Sequence, residues 1–315
     1  LMELTAILTL PRLHEIAAPL YIMFLLGEFL LVRRGVLKGH FLREDTQASL
    51  IIGTGSIVSN MLLVLLGGSL VWTAYENRIS TIGFEWWAFL LCFVLDDLRF
   101  YVSHRLAHRS RWFWAAHVVH HSSEYYNFST ALRQSWTGAI TGLVLLAAPI
   151  AYLGFHPALI GFCASLNLFY QFFLHTESVG RLHPWIEAVF NTPSHHRVHH
   201  ANNPRYLDAN YAGTLIIWDK MFESFVPELD HDKPVFGLVE NIKTYNPFVA
   251  ALGEYWGIAR DVAGPKRSLF DRLRCVFAPP GWCHDGSRKD SHMIKENYLQ
   301  TYPAETGTPG LPASG

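Results

Sequence analysis

Long apolar runs separated by short charged breaks organise this chain. Ile16 to Val32 is apolar except at Glu28, and Arg33, Arg34, Lys38 and Arg43 follow it. That pattern predicts a membrane helix whose basic flank lies on the cytoplasmic side. From Thr46 to Tyr75 no residue is charged, which predicts a second crossing and delivers Glu76 to Glu85 to the opposite face. A third segment opens at Trp86, meets Asp96, Asp97 and Arg99 after ten apolar residues, and runs without proline or glycine to His104. It predicts a helix that leaves the membrane on the cytoplasmic side.

The run from Gln134 to Leu174 is uncharged for 41 residues and is divided by Gly154-Phe155-His156-Pro157. It predicts a hairpin of two helices of about twenty residues each, joined by a tight turn, which returns His175 to the face holding His121. Beyond Pro204 the pattern is mixed. Trp218 to Pro227 is aromatic and amphipathic, and Pro247 to Phe277 alternates apolar and charged residues at helical spacing. Both predict interfacial or cytosolic elements over the same face. Thr301 to Gly315, rich in Pro, Gly, Thr and Ala, predicts disorder. The fold class is all-α: a multi-pass membrane protein with four or five transmembrane helices and a cytosolic histidine-rich cap. Its parts are N-terminal membrane helices over 1–83, a histidine-rich domain over 84–227, a cytosolic or interfacial segment over 228–303 and a tail over 304–315.

Composition agrees with that reading. Hydrophobic residues make up 50% and charged residues 16%, against roughly 25% charged in an ordinary soluble domain. Net charge is −1 and no basic block appears, so the chain offers no footprint for nucleic acid. The four cysteines form no C-x-x-C pair and read as packing residues or spectators. Leu1-Met2-Glu3 has no positive n-region, so the first apolar run is expected to stay as an anchor.

The chemistry lies in histidine spacing. His104-x-x-x-His108, His117-x-x-His120-His121 and His196-x-x-His199-His200 set imidazoles at i, i+3 and i+4, on one side of a helix. At this histidine content chance supplies roughly 0.05 matches to H-x-x-H-H, so two matches are not an accident of composition. Eight imidazoles exceed one tetrahedral shell and suit two metals. Imidazole serves iron, copper, zinc and nickel, so ligand type alone does not name the ion. Asp97, Tyr101, His104 and His108 fall within an arc of about 60° on one helix. Asp97 is therefore expected to point inward, either to orient an imidazole through its neighbours or to pair with Arg99 or Arg105. Glu124, Asn127, Arg133 and Gln134 are polar groups near the same exit: candidates for contact with ligand partners or a lipid headgroup, or ordinary solvated residues. Tyr125, Tyr126, Phe128 and Trp136 are candidate walls of a substrate path or interfacial anchors.

The three boxes, HRLAH (His104 to His108), HVVHH (His117 to His121) and HRVHH (His196 to His200), resemble those of the membrane-bound fatty acid hydroxylase and sterol desaturase superfamily. The likeness extends through HSSEYYNFSTALRQ (His121 to Gln134) and NTPSHHRVHHANNPRYLDANYAGTLIIWDKMF (Asn191 to Phe222), and covers Trp86 to Pro227. The third-box region looks most like bacterial sterol-desaturase-like proteins and alkylglycerol monooxygenases. The resemblance implies that 84–227 is a catalytic domain with two iron ions, using O2 to hydroxylate or desaturate a lipid C–H bond. It implies metal ligation by His104, His108, His117, His120, His121, His196, His199 and His200, with His175 as a further ligand. His195 is added as one that joins the shell or bonds to it, and Asp97, Tyr101, Glu124 and Asn127 as supporting catalytic residues. His183 reads as a surface residue.

No G-x-G-x-x-G fingerprint and no cytochrome b5 His-Pro-Gly-Gly signature occurs. Electrons are therefore expected from a separate donor: a ferredoxin, a cytochrome b5-type protein or a reductase. Tetrahydropterin ranks behind these, because no long apolar span follows Tyr245 as the alkylglycerol monooxygenase subgroup would require. The expected location is a membrane with the active site on its cytoplasmic face, the bacterial inner membrane ahead of the endoplasmic reticulum. Two other classes compete: a haem-bearing membrane cytochrome, which needs isolated histidines on separate spans, and a divalent-metal transporter, which needs ligands near the bilayer midplane.

Overall fold

A computed structural model describes residues 10, 13–265 and 267–302; the expected tail over 304–315 and the chain start at Leu1-Met2-Glu3 lie outside the described residues. Among the described residues the secondary structure is helical, with no strand and two isolated antiparallel bridges, Phe190 with Leu215 and Ala201 with Phe236. The helices are α1 (Leu13–Arg33), α2 (Arg43–Glu76), α3 (Trp86–Arg109), α4 (Arg111–His121), α5 (Ala148–Leu153), α6 (Pro157–Phe172), α7 (Pro184–Val189), α8 (Pro193–His199), α9 (Ile217–Met221), α10 (Pro247–Ala263), α11 (Leu269–Phe277) and α12 (Ser291–Thr301).

α1 turns its apolar residues outward: Ile22, Met23 and Leu26 are all more than half exposed. Its segment Glu15–Arg33, with mean hydropathy 1.8, is long and apolar enough to cross a membrane. α2 qualifies if Arg43–Leu63 and Gly67–Glu76, bent by 46° against each other, are one span. The bend falls between Leu63 and Gly67, and Gly67-Gly68-Ser69 just beyond it is a sequence that tolerates a kink. There Val144 comes within 2.5 Å of where a Gly67 Cβ would stand. Among the described residues the structure thus gives one helix of spanning length and composition, or two, against the four or five expected.

The hairpin accounts for part of the difference. Its arms are the apolar helices Leu143–Leu153 and Pro157–Phe172, both short of twenty residues. The first arm is broken because Gly142 is left-handed at φ +94°, Trp136 donates its indole N–H to the Ile52 carbonyl, and the Thr137 hydroxyl is bonded to Tyr255. These ties hold 134–142 against α2 and α10 instead of letting it extend a helix. The turn itself forms as expected. Gly154 has φ +122°, and a Cβ there would sit 2.4 Å from the Ser80 carbonyl oxygen, so only glycine fits. His156 then caps α6 by accepting the Ala158 N–H at 3.1 Å. Because this turn packs against the loop between α2 and α3, it lies at the end of the fold opposite the histidine boxes.

Two of the buried apolar clusters tie the long helices together. Val71, Tyr75, Ala88, Cys92, Ile150, Phe155, Leu159 and Cys163 join α2, α3, α5 and α6 near the hairpin turn. Ala48, Ile52, Val119, Ala250 and Ala251 join α2, α4 and α10 at the histidine end. Cys92, Cys163 and Cys275 are buried and free, in line with a packing role.

Candidate metal centre

Three helices and one loop carry the boxes. His104 and His108 occupy the last two turns of α3; extended Ser110 breaks the helix, and α4 begins at once with His117, His120 and His121 along it. α8 starts at Pro193, whose fixed φ suits a first helical position, and bears His195, His196 and His199, with His200 as its C-cap. His175 follows the end of α6.

The rings gather into two groups. Ring nitrogens of His104, His108, His117, His121 and His199 lie within 4.8 Å of one another, and so do those of His120, His175, His196 and His200. Around a helix, residues four apart differ by about 40° and residues three apart by about 60° in the other sense. His117 and His121 therefore share a group while His120 turns to the other. α8 divides the same way, with His196 and His200 in one group and His199 in the other. The groups adjoin: the His121 ring stacks on His200 at 4.4 Å between centroids.

Backbone carbonyls fix which nitrogen faces inward. The Nδ1 of His104 donates to the Tyr211 carbonyl at 2.8 Å, that of His175 to Gln171 at 2.8 Å, that of His199 to Ala209 at 2.9 Å and that of His120 to Arg133 at 3.2 Å. A carbonyl only accepts, so each of these Nδ1 atoms carries the proton and each Nε2 presents a lone pair. The Nε2 atoms converge: His104 to His117 at 2.9 Å, His117 to His121 at 3.1 Å, His120 to His175 at 3.2 Å and His175 to His196 at 3.1 Å. The Nε2 atoms of His108, His199 and His200 are buried without a hydrogen-bond partner.

Those features fit metal ions. Neighbouring nitrogens bound at about 2.1 Å to one ion at right angles stand about 3.0 Å apart, which is the spacing found. Buried lone pairs with no donor are costly unless a cation takes them. Burial, reinforced by His108, pushes His104 down to about 3; burial pushes His175 down to about 4 against two backbone hydrogen bonds that raise it. Burial likewise holds His117, His120, His121, His196, His199 and His200 well below the ordinary imidazole value. The imidazoles are thus neutral, as ligands must be. Neither group contains a carboxylate.

The remaining expected residues separate into three sorts. Asp97 is fully buried and accepts the Asn167 amide and the Thr214 N–H on one oxygen, and the Leu215 N–H and the Trp218 indole N–H on the other, all at 2.8 to 3.0 Å. It pins the loop whose Tyr211 carbonyl orients His104; Asp96, not Asp97, pairs with Arg99 at 2.6 Å. Asn127 braces its own turn through Ser129 and donates to the His40 carbonyl at 2.9 Å. Tyr101 bonds the Ser224 hydroxyl at 2.8 Å and accepts from Arg105 at 2.7 Å, away from the imidazoles. Glu124 is exposed. His195 belongs to neither group: its Nε2 lies 3.6 Å from a Glu187 carboxylate oxygen, on the far side of α8 beside Phe225. Glu187 and Phe225 hold that ring, which is why the i, i+4 step to His199 does not bring it into the cluster. His183 is exposed, as expected.

Of the aromatic candidates Tyr126 alone adjoins the rings, 5.2 Å from His200, with Phe236 stacked on its other face at 4.6 Å. Sequence reading passed over Tyr211, Trp114 and Asp219. Trp114 lies 5.1 Å from His108 and 5.5 Å from His121. Asp219 accepts the Tyr211 and Ala212 N–H groups at 2.8 and 2.7 Å. The one signal available was Leu207-Asp208-Ala209-Asn210, where two residues suited to the left-handed region both adopt φ +56° and so aim the carbonyls near His199 and His104.

Residues 89–224 match the family model for fatty acid hydroxylase, and every ligand candidate falls within that segment. Over these residues the chain resembles the fatty acid hydroxylase family. It is similar to the alkylglycerol monooxygenase of Caenorhabditis elegans, 34% identical over 86% of this chain and 55% of that protein. The Danio rerio alkylglycerol monooxygenase is 43% identical over 62% of this chain and 43% of its own length. The ornithine lipid hydroxylase OlsE of Rhizobium tropici is 26% identical over 43% of this chain and 41% of that protein. The chain thus spans about half the length of the curated relatives it matches. No solved structure matches it significantly.

Proposed function

We propose that this chain is a membrane-embedded monooxygenase that uses O2 and two irons to hydroxylate a lipid C–H bond, with ether-linked alkylglycerols as the first substrate class to try. The observation that carries the reading is the convergence of nine imidazoles into groups of five and four. Five nitrogens would hold one iron, from His104, His108, His117, His121 and His199, and four the other, from His120, His175, His196 and His200. When bound, the iron pair supplies activation of O2 toward an unactivated C–H bond.

The protein's own contribution is orientation and exclusion of water. Carbonyls of residues 133, 171, 209 and 211 fix four ring tautomers, and burial favours the neutral form of those four rings. The outward apolar faces of α1 and α2 would seat the centre at the membrane, so that a lipid reaches it laterally. We place the site on the cytoplasmic face, with α3 and the α5–α6 hairpin entering the bilayer beside these spans. Hydroxylation is favoured over desaturation because the relatives bear the names monooxygenase and hydroxylase. Two packed nitrogen clusters also speak for this reading over a haem with two axial histidines or a midplane transport site. Electrons come from a separate donor, with ferredoxin, a cytochrome b5-type protein and tetrahydropterin as the donors to compare.

The test is direct. Membranes from iron-supplemented cells making the full chain, given 1-O-hexadecylglycerol, 18O2 and each donor in turn, should yield product carrying one 18O atom, and purified protein should hold about two irons. His120→Ala and His199→Ala should abolish turnover and leave membrane insertion intact. Active protein free of metal would overturn the proposal.

A further inference from the structure

α1 lies outside the family-matched segment, yet it grips both sides of one ligand candidate. Before His175 in sequence, Phe172 stacks on Tyr21 at 4.0 Å and Phe173 meets Phe24 edge-on at 5.1 Å. After it, the buried carboxylate of Glu28 accepts the Thr176 hydroxyl, and the Ser178 hydroxyl stands 3.5 Å from the same oxygen while donating to the Lys38 carbonyl at 2.8 Å. The other Glu28 oxygen accepts the Phe128 N–H at 2.8 Å. Glu28 is 4% exposed and Thr176 fully buried, in a helix whose neighbouring side chains mostly face outward. An acid so placed in an apolar span marks a function more often than a packing need.

The clamp reaches one nitrogen group and not the other. His175 stands 3.2 Å from His120 and 3.1 Å from His196, both in the four-nitrogen group. The Thr176 carbonyl also accepts from Arg197 of α8 at 3.0 Å, next to His196. No comparable tie runs from α1 to His104, His108, His117, His121 or His199 among the described residues. We propose that Glu28 is a positioning residue: through Thr176 it fixes His175, so that a helix beyond the family segment makes the four-nitrogen group competent to hold its ion. This rests on the two-ion reading above.

The chemistry of the two contacts separates substitutions. A backbone N–H only donates, so Phe128 needs an oxygen opposite it; a hydroxyl both donates and accepts. Glu28→Gln can keep its oxygen on Phe128 and offer its amide to Thr176, whereas Glu28→Leu loses both.

The experiment measures metal per chain and spectra, not turnover, on the full chain purified from iron-supplemented cells. Loss of an outer contact to a ligating histidine costs on the order of 10–100-fold in metal affinity. Glu28→Leu is therefore expected to take iron from about two to about one per chain and to abolish the spectroscopic signature of a coupled pair, with Glu28→Gln restoring both. Combining Glu28→Leu with His108→Ala should leave no iron, and combining it with His200→Ala should still leave about one. Thr176→Val, which removes only the hydroxyl, should copy Glu28→Leu and serves in its place if that variant is not recovered folded. Two irons retained in Glu28→Leu or Thr176→Val, or equal loss from both groups, would overturn the inference and leave the two-ion reading standing. Wild-type protein without metal would overturn both.

Discussion

Asp97 accepts the indole N–H of Trp218 at 2.8 Å, joining two residues 121 positions apart. Its other three partners are also donors, so an asparagine amide at that place would face N–H groups on at least one side. Both Asp97→Asn and Asp97→Ala are expected to cost about 3 kcal/mol of stability, since buried donors lose a charged acceptor. The five-nitrogen group should weaken with them, because the loop that orients His104 is released. Thermal unfolding with metal analysis checks this; an unchanged melting temperature with full metal would show that something else holds the loop.

Arg133 gives a second stability test. Its guanidinium, 3% exposed, pairs with Asp45 at 2.6 Å and donates to the Ser49 and Ser122 hydroxyls. Arg133→Met strands a buried carboxylate and should cost about 3–5 kcal/mol, with much of the loss recovered in the Arg133→Met/Asp45→Leu double variant. A double variant no more stable than the single would contradict the pairing.

His195 and His199 should part company in metal content. His195→Ala is expected to keep about two irons per chain, because its ring lies outside both groups beside Glu187, whereas His199→Ala should lose one. Loss of iron on replacing His195 would restore it to the ligand set.

Acid should destabilise the metal-stripped chain in a defined window. Unfolded histidine titrates near 6.5, while burial holds His104 at about 3 and His175 at about 4 in the fold. Above pH 6.5 both states are neutral at these groups and nothing changes. As pH falls from 6.5 toward 4 for His175 and toward 3 for His104, the unfolded chain takes up protons that the folded chain refuses, and stability drops by about 1.4 kcal/mol per pH unit for each imidazole within its window. Melting temperatures measured after chelation between pH 7.5 and 4 test this, and a flat profile would refute the burial of neutral rings.

Local patterns were legible and long-range ones were not. The boxes could be read because ligand spacing along a helix is a local property, and the hairpin because a glycine needing φ +122° sits in the middle of an uncharged run. The broken first arm escaped notice because hydropathy counts apolar residues and is blind to Trp136 bonding Ile52 across the fold. Asp96 and Asp97 differ by one step of about 100°, too fine a distinction for periodicity to assign Arg99 to the first and the 214–218 loop to the second. Nothing local distinguishes exposed Glu124 from buried Asn127, three and six residues beyond His121.

The carbonyl contacts at 133, 171, 209 and 211 have a consequence for mutational tolerance. A main-chain oxygen survives a side-chain exchange, so at these four positions the contact to the ring does not itself dictate the side chain. Arg133 then answers to Asp45 rather than to His120, and Ala209 answers only to the room around it. A catalogue of side chains alone would record the imidazoles and pass over the four carbonyls that aim them.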